Sequence, residues 1–171
     1  MNKSIKKMLI TALFMAMTAV LTFFVKIPVA NGYIHTGDSI IYLAACILPF
    51  PYALFAAGIG GAFADALGGY AVYVIPTLII KALITLPFSH KSEKILTKKN
   101  MLMVVPAGII TIAGYFITGL LLWGWAGAVA GLLGDVIQAA GSAVLFIVFA
   151  TALDKVNFKK RYLYEKSITC D

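Results

Sequence analysis

The chain has 171 residues, of which 61% are apolar and only 12% charged, with a mean hydropathy of +0.95; a soluble domain is about half apolar and about a quarter charged. These figures exclude an ordinary soluble enzyme, and at roughly 20 residues per spanning helix they allow at most about six spans and no separate catalytic domain. The net charge of +7 does not point to nucleic acid, because the basic residues form three clusters beside apolar runs: Lys3, Lys6 and Lys7; Lys91, Lys94, Lys98 and Lys99; and Lys155, Lys159, Lys160, Arg161 and Lys166. That is the pattern of the positive-inside rule.

The first span is expected over 8–25. Basic residues precede it, as in a signal peptide, but it is longer than the core of one and no small-residue cleavage site follows, so it reads as a retained span. A loop over 26–37 is broken by Pro28 and Gly32. It ends in Tyr33-Ile-His-Thr-Gly-Asp38, which sets an aromatic, an imidazole and a carboxylate at the mouth of the next apolar run. That second run, 38–48, is short, and Asp38 or Ser39 can cap its start. Pro49 and Pro51 then force a turn. The third span, 52–67, is dense in Gly and Ala, and a tight loop follows at 68–70. The fourth, 71–88, is interrupted by Pro76. The hydrophilic stretch 90–100 is a linker. The fifth span covers 101–123, and a turn at 124–127 lies beside Trp123 and Trp125, where indoles favour the membrane interface. The sixth span, 128–153, leads into a basic tail, 154–171.

The fold expected is all-α: one transmembrane domain over 1–171, an integral membrane bundle of six transmembrane helices. With the N-terminus in the cytoplasm, six spans bring the linker and the tail to the same side, so all three basic clusters are cytoplasmic. Five or seven spans would put the tail outside.

Ionisable and amide side chains inside lipid spans are costly and usually face a cavity or one another. Asp38 starts the second span and Asp65 ends the third, both near the outer face. Lys81 lies about ten residues, or roughly 15 Å, into the fourth. Asp135 and Gln138 lie at comparable depth in the sixth, three residues apart on one helix face. An outward-facing pocket built on these residues would have Tyr33, His35, Tyr70, Tyr73, Tyr115 and Trp123 in its walls. Aromatic walls with a few polar anchors suit a flat heterocycle. The plainer readings are a helix cap for Asp38, an interfacial helix end for Asp65, an ion pair of Lys81 with Asp135, and a solvated loop residue for His35. No histidine, cysteine and carboxylate spacing suggests a metal, and neither a nucleotide-binding loop nor a catalytic nucleophile is present. No cofactor is expected.

Ala12 and Ala16, with Ala19, give one side of the first span small residues that let another helix approach. Internal packing and a partner surface both fit that stripe. Gly58, Gly61 and Ala62 do the same for the third span, where internal packing is the simpler reading.

Taken in order, the basic N-terminus with Leu9-Ile-Thr-Ala12-Leu-Phe-Met-Ala16, the Tyr33–Asp38 stretch, Gly58-Ile-Gly-Gly-Ala-Phe-Ala-Asp65-Ala-Leu-Gly-Gly-Tyr70, Lys81, and Gly134-Asp135-Val-Ile-Gln138 resemble the substrate-binding S components of energy-coupling factor (ECF) transporters. The likeness is to the riboflavin, hydroxymethylpyrimidine and pyridoxine group and covers nearly the whole chain. The resemblance implies a non-enzymatic, multi-pass subunit of the bacterial cell membrane that captures a vitamin or vitamin precursor from outside. It also implies partners: a transmembrane coupling subunit, met through Ala12 and Ala16, and two cytoplasmic ATPase subunits. The loop after the first helix would close over the ligand. The alternative is a self-sufficient secondary transporter with Asp65, Lys81 and Asp135 as an ion or proton relay. It meets the difficulty that no internal repeat is evident.

Overall fold

The computed structural model describes residues 3–29 and 32–163; the tail residues Lys166 and Cys170 lie outside the described residues. The first helix, α1 (Lys3–Phe24), is built inside out. Thr11, Phe14, Thr18 and Thr22, at helical spacing, are buried, while Met8, Leu9, Leu13, Met17, Val20 and Phe24 are exposed. A helix that turns three threonines and a single phenylalanine inward and most of its large apolar groups outward is stable only where the surroundings are apolar. Ala12 and Ala16 belong to the exposed side, so nothing in the described chain uses them for internal packing.

The segment after α1 is not an irregular loop. It folds as an antiparallel hairpin of β1 (Lys26–Val29) and β2 (Gly32–His35), with Lys26 opposite His35 and Pro28 opposite Tyr33. The all-α expectation is corrected to that extent. Pro28 hides the strand in the sequence, since a proline inside a run argues against a strand except at an edge, and in a two-stranded hairpin both strands are edges.

The next helix, α2 (Gly37–Ile47), is buried at every residue. Beyond its first turn, where Asp38 and Ser39 stand, it is almost wholly apolar, as suits a helix enclosed on all sides. It packs against α1, α3 (Phe50–Gly68) and α5 (Lys98–Lys155). Gly37 permits the closest crossing: a Cβ there would stand 2.0 Å from Thr22 Oγ1. The expected cap is corrected too. Thr36 occupies the N-cap position with no side-chain cap bond, and Asp38 sits inside the first turn. Pro51 likewise lies in the first turn of α3, where its missing N–H is least costly.

A single 3-10 turn (Ala71–Tyr73) leads into α4 (Val74–Leu83). Pro76 lies in the opening turn of α4, so it does not interrupt a longer helix but stands where one begins. The small-residue face of α3 packs internally: a Cβ at Gly58 would meet Leu78 O at 3.0 Å, and one at Gly61 would meet the Lys81 side chain at 2.9 Å.

The last long element is a helical hairpin. A straight helix of 58 residues would run about 87 Å. Gly124 instead takes φ 70°, ψ −172°, which glycine adopts at little cost, and splits α5 into arms of 98–123 and 125–155. The arms run antiparallel: Gly119 packs on Ala128 and Gly108 on Ala139. α1, α3 and α5 are long and apolar enough to cross a membrane. α2 and α4 are 11 and 10 residues long, so as straight helices they reach only about 15 Å.

The linker between α4 and α5 is tied down by three side chains. Asn100 accepts from Ser89 N at 3.0 Å and donates to Ser89 O at 3.0 Å and Ile95 O at 2.9 Å. Asp154 accepts from Ile95 N and Leu96 N, both at 2.8 Å. Lys159, in α6 (Phe158–Leu163), donates to Cys46 O at 2.7 Å and His90 O at 2.6 Å. It thereby sets a cation at the C-terminal end of α2, where the helix dipole favours one.

Candidate ligand site

At the N-terminal end of α2 the hairpin lies over a cavity of about 70 Å³. The hairpin, α3 with the turn after it, α4 and both arms of α5 contribute to its wall. The hairpin gives Val29, Tyr33, Ile34 and His35; the end of α3 and the turn after it give Asp65, Tyr70 and Tyr73; α4 gives Thr77. The first arm of α5 adds Tyr115, Gly119 and Trp123, and the return arm adds Gly127, Ala128, Gly131, Gly134, Asp135 and Gln138. The residues 127, 131 and 134 recur on one side of that arm. Having no side chain, they leave the space that the ring residues surround.

The rings are fixed by contacts with one another. Tyr33 packs against Tyr70 in a tilted arrangement, with centroids 4.6 Å apart and 54° between the planes, and Lys26 Nζ lies 4.6, 5.2 and 5.6 Å from the rings of Phe23, Tyr33 and Tyr70. Trp123 Nε1 donates to the Tyr73 hydroxyl at 2.9 Å. Thr77 and Tyr115 share a hydroxyl bond of 3.0 Å.

Two bonds dock the hairpin on the cavity. The Tyr33 hydroxyl donates to Asp65 Oδ1. Burial, and next the Asp65 charge, hold that phenol well above its usual range, so it remains a donor. The His35 backbone N–H donates to Gln138 Oε1 at 3.2 Å. The His35 ring is buried rather than solvated, and its Nδ1 accepts from Gly37 N at 3.1 Å. Burial, with Lys81 nearby, pushes it down to about 3. A neutral imidazole that accepts at Nδ1 carries its proton on Nε2.

Beneath the cavity lies a second layer. Lys81 Nζ stands 2.7 Å from Asp38 Oδ1, and both side chains are fully buried. Gln138 Nε2 donates to Asp38 Oδ2 at 3.1 Å. Tyr115 covers the pair, its ring 4.9 Å from Lys81 Nζ. Asp38 and Lys81, expected in the pocket, thus lie outside its wall. Lys81, for which an ion pair with Asp135 is the plainer alternative to pocket lining, pairs with Asp38 instead, because α2 is tucked into the centre of the bundle and brings its first turn to the Lys81 side chain of α4. Gln138 joins the layers, with one amide atom on the hairpin and the other on the ion pair. Sequence reasoning missed Thr77, Ile34 and the glycines of the return arm. Only the recurrence of Gly127, Gly131 and Gly134 could have signalled them. Among the described residues no group of His, Cys, Asp and Glu could hold a metal.

An inside-out helical bundle with a covered, ring-lined cavity defines a multi-pass membrane protein that binds a small substrate. The chain matches the family described as "ECF-type riboflavin transporter, S component" over residues 2–155. It is 30% identical over 162 residues to the thiamine precursor transporter HmpT of Lactococcus lactis subsp. cremoris, covering 91% of this chain and 92% of that one. It is also 32% identical over 122 residues to an uncharacterised protein of Pyrococcus woesei, covering 71% of this chain and 82% of that one. The chain belongs to the ECF S-component family, whose members are transporter subunits that bind vitamin-related substrates.

Proposed function

We propose that the chain captures a single-ring vitamin precursor of the hydroxymethylpyrimidine class from outside the bacterial cell. The ligand then passes to an ATP-driven ECF module made of a transmembrane coupling subunit and two cytoplasmic ATPases. In this reading the single transmembrane domain crosses the bilayer six times: α1, α2, α3, α4 with its flanking turns, and the two arms of α5. Both ends of the chain are cytoplasmic, as the three basic clusters favour. Ala12 and Ala16, exposed on α1, are the surface for the coupling subunit. The cavity residues Tyr33, His35, Asp65, Tyr70, Tyr73, Tyr115, Trp123, Asp135 and Gln138 hold the ligand.

The size of the cavity carries the choice of ligand. At about 70 Å³ it is small for a ligand cavity, and its polar and aromatic groups converge on one ring-sized space. A pyrimidine or pyridine ring between tyrosines suits that space better than a tricyclic flavin with its ribityl chain. The thiamine precursor relative agrees with this choice. The relay alternative is weakened, because Lys81 is paired with Asp38 and covered by Tyr115.

The test is binding to the purified protein, followed by the fluorescence of Trp123 in the cavity wall. Hydroxymethylpyrimidine or pyridoxine should bind at least about tenfold tighter than riboflavin, a margin that a cavity of the wrong size readily produces. Uptake into liposomes should require the ATPase module. Tighter binding of riboflavin would overturn the ligand class. Ion-driven uptake by the chain alone would overturn the coupling.

A further inference from the structure

Asp65 uses its two carboxylate oxygens differently. Oδ1 accepts the hydroxyl of Tyr33 from the hairpin. Oδ2 is buried and holds no hydrogen bond among the described residues. The residue is 4% exposed, yet it forms part of the cavity wall. Folded proteins leave few buried acceptors unmatched, and one that sits in a cavity wall is placed to receive a donor. The adjacent amide cannot supply one, since Gln138 Nε2 is spent on Asp38. Nor can the buried cation, since Lys81 stands against Asp38; the Thr77 hydroxyl, which also acts on the Asp65 carboxylate, is shared with the Tyr115 hydroxyl at 3.0 Å.

We propose that Asp65 Oδ2 is the seat of an N–H donor on the ligand ring, such as an exocyclic amino group, and that Asp65 thereby links ligand identity to closure of the hairpin. This rests on the reading of the cavity as a precursor site. One carboxylate then serves two donors, the ligand through Oδ2 and Tyr33 through Oδ1. A ring carrying an oxo group at the same position sets acceptor against acceptor. It therefore both loses its own bond and pushes on the group that holds the hairpin down. A polar site built for a donor rejects the analogue lacking it far more strongly than an apolar pocket rejects a change of size.

The full-length protein in detergent is titrated with 4-amino-5-hydroxymethyl-2-methylpyrimidine and with the ring bearing oxo in place of the amino group. The unmodified chain should favour the amino ring by about a hundredfold or more, the scale of discrimination by a dedicated hydrogen-bonding group. Asp65→Asn, which replaces one acceptor by a donor, should erase or invert that preference. Tyr33→Phe should keep the preference while releasing the amino ring faster. Equal binding of both rings by the unmodified chain overturns the proposal, and this needs no variant to fold. A preference that survives unchanged in Asp65→Asn also overturns it, because a merely structural Asp65 would weaken both rings alike. If neither pyrimidine binds and riboflavin does, the ligand class has failed separately. The donor seat is then judged on riboflavin against its N3-methyl form, where loss of preference in Asp65→Asn supports it and retention overturns it.

Discussion

The two ends of α2 carry polar clusters of opposite character. At the C-terminal end, Asn100, Asp154 and Lys159 spend their side chains on backbone groups: three bonds from Asn100, two from Asp154 and two from Lys159. These are closures of a turn-rich linker. At the N-terminal end, Tyr33 bonds to Asp65, Thr77 to Tyr115 and Gln138 to Asp38 and the His35 backbone around a space, and Asp65 Oδ2 has no hydrogen-bond partner among the described residues. Polar groups matched to backbone make structure. Polar groups gathered around a space, with an acceptor in its wall, are the arrangement the proposed ligand site needs.

The largest expected effect breaks the layer between these clusters. Lys81→Met strands Asp38 as an unpaired buried charge and should cost about 3–5 kcal/mol. Thermal melting of the detergent-solubilised protein checks this, and the double change Asp38→Leu with Lys81→Met should recover most of the loss. A single variant that melts with the parent would make the pair dispensable to folding.

A smaller effect sharpens the contrast of the ends. Asn100→Ala leaves Ser89 and Ile95 backbone groups unmatched and should cost about 1–3 kcal/mol. Melting should fall while the choice between amino and oxo rings stays intact. A tenfold or larger change in that choice, far outside the roughly additive behaviour of distant sites, would mean the two ends act as one.

The smallest effect is a pH dependence at the hairpin. Docking lowers His35 to about 3, against about 6.5 for a solvated imidazole. The docked ring refuses a proton that the undocked one accepts, so docking is at full strength above about 6.5 and weakens as pH falls. Between pH 7 and 6 ligand affinity should drop by about threefold from this group. His35→Gln should remove that part of the profile and leave whatever Asp38 and Lys81, which face the ring, contribute. Identical profiles would clear His35 of the role.

The sequence was most informative where the cause is local. Apolar runs, proline breaks and clustered lysines follow from neighbours along the chain, so helices α1, α2 and α3 lie close to the expected segments. The aromatic and acidic residues of the cavity were legible because rings, carboxylates and amides near the ends of apolar runs need an enclosed partner. What depth along a helix could not give is rotation and crossing. Those decided that Lys81 meets Asp38 and not Asp135, that Gln138 bridges two layers, and that 26–29 pairs with 32–35 despite Pro28. The single turn at Gly124, narrower than the expected 124–127, depends on one backbone torsion that only the antiparallel packing of the two arms makes necessary. The unmatched position of Asp65 Oδ2 among the described residues belongs to the same class. A sequence specifies which donors and acceptors exist, but only their arrangement in space shows which one has been left waiting.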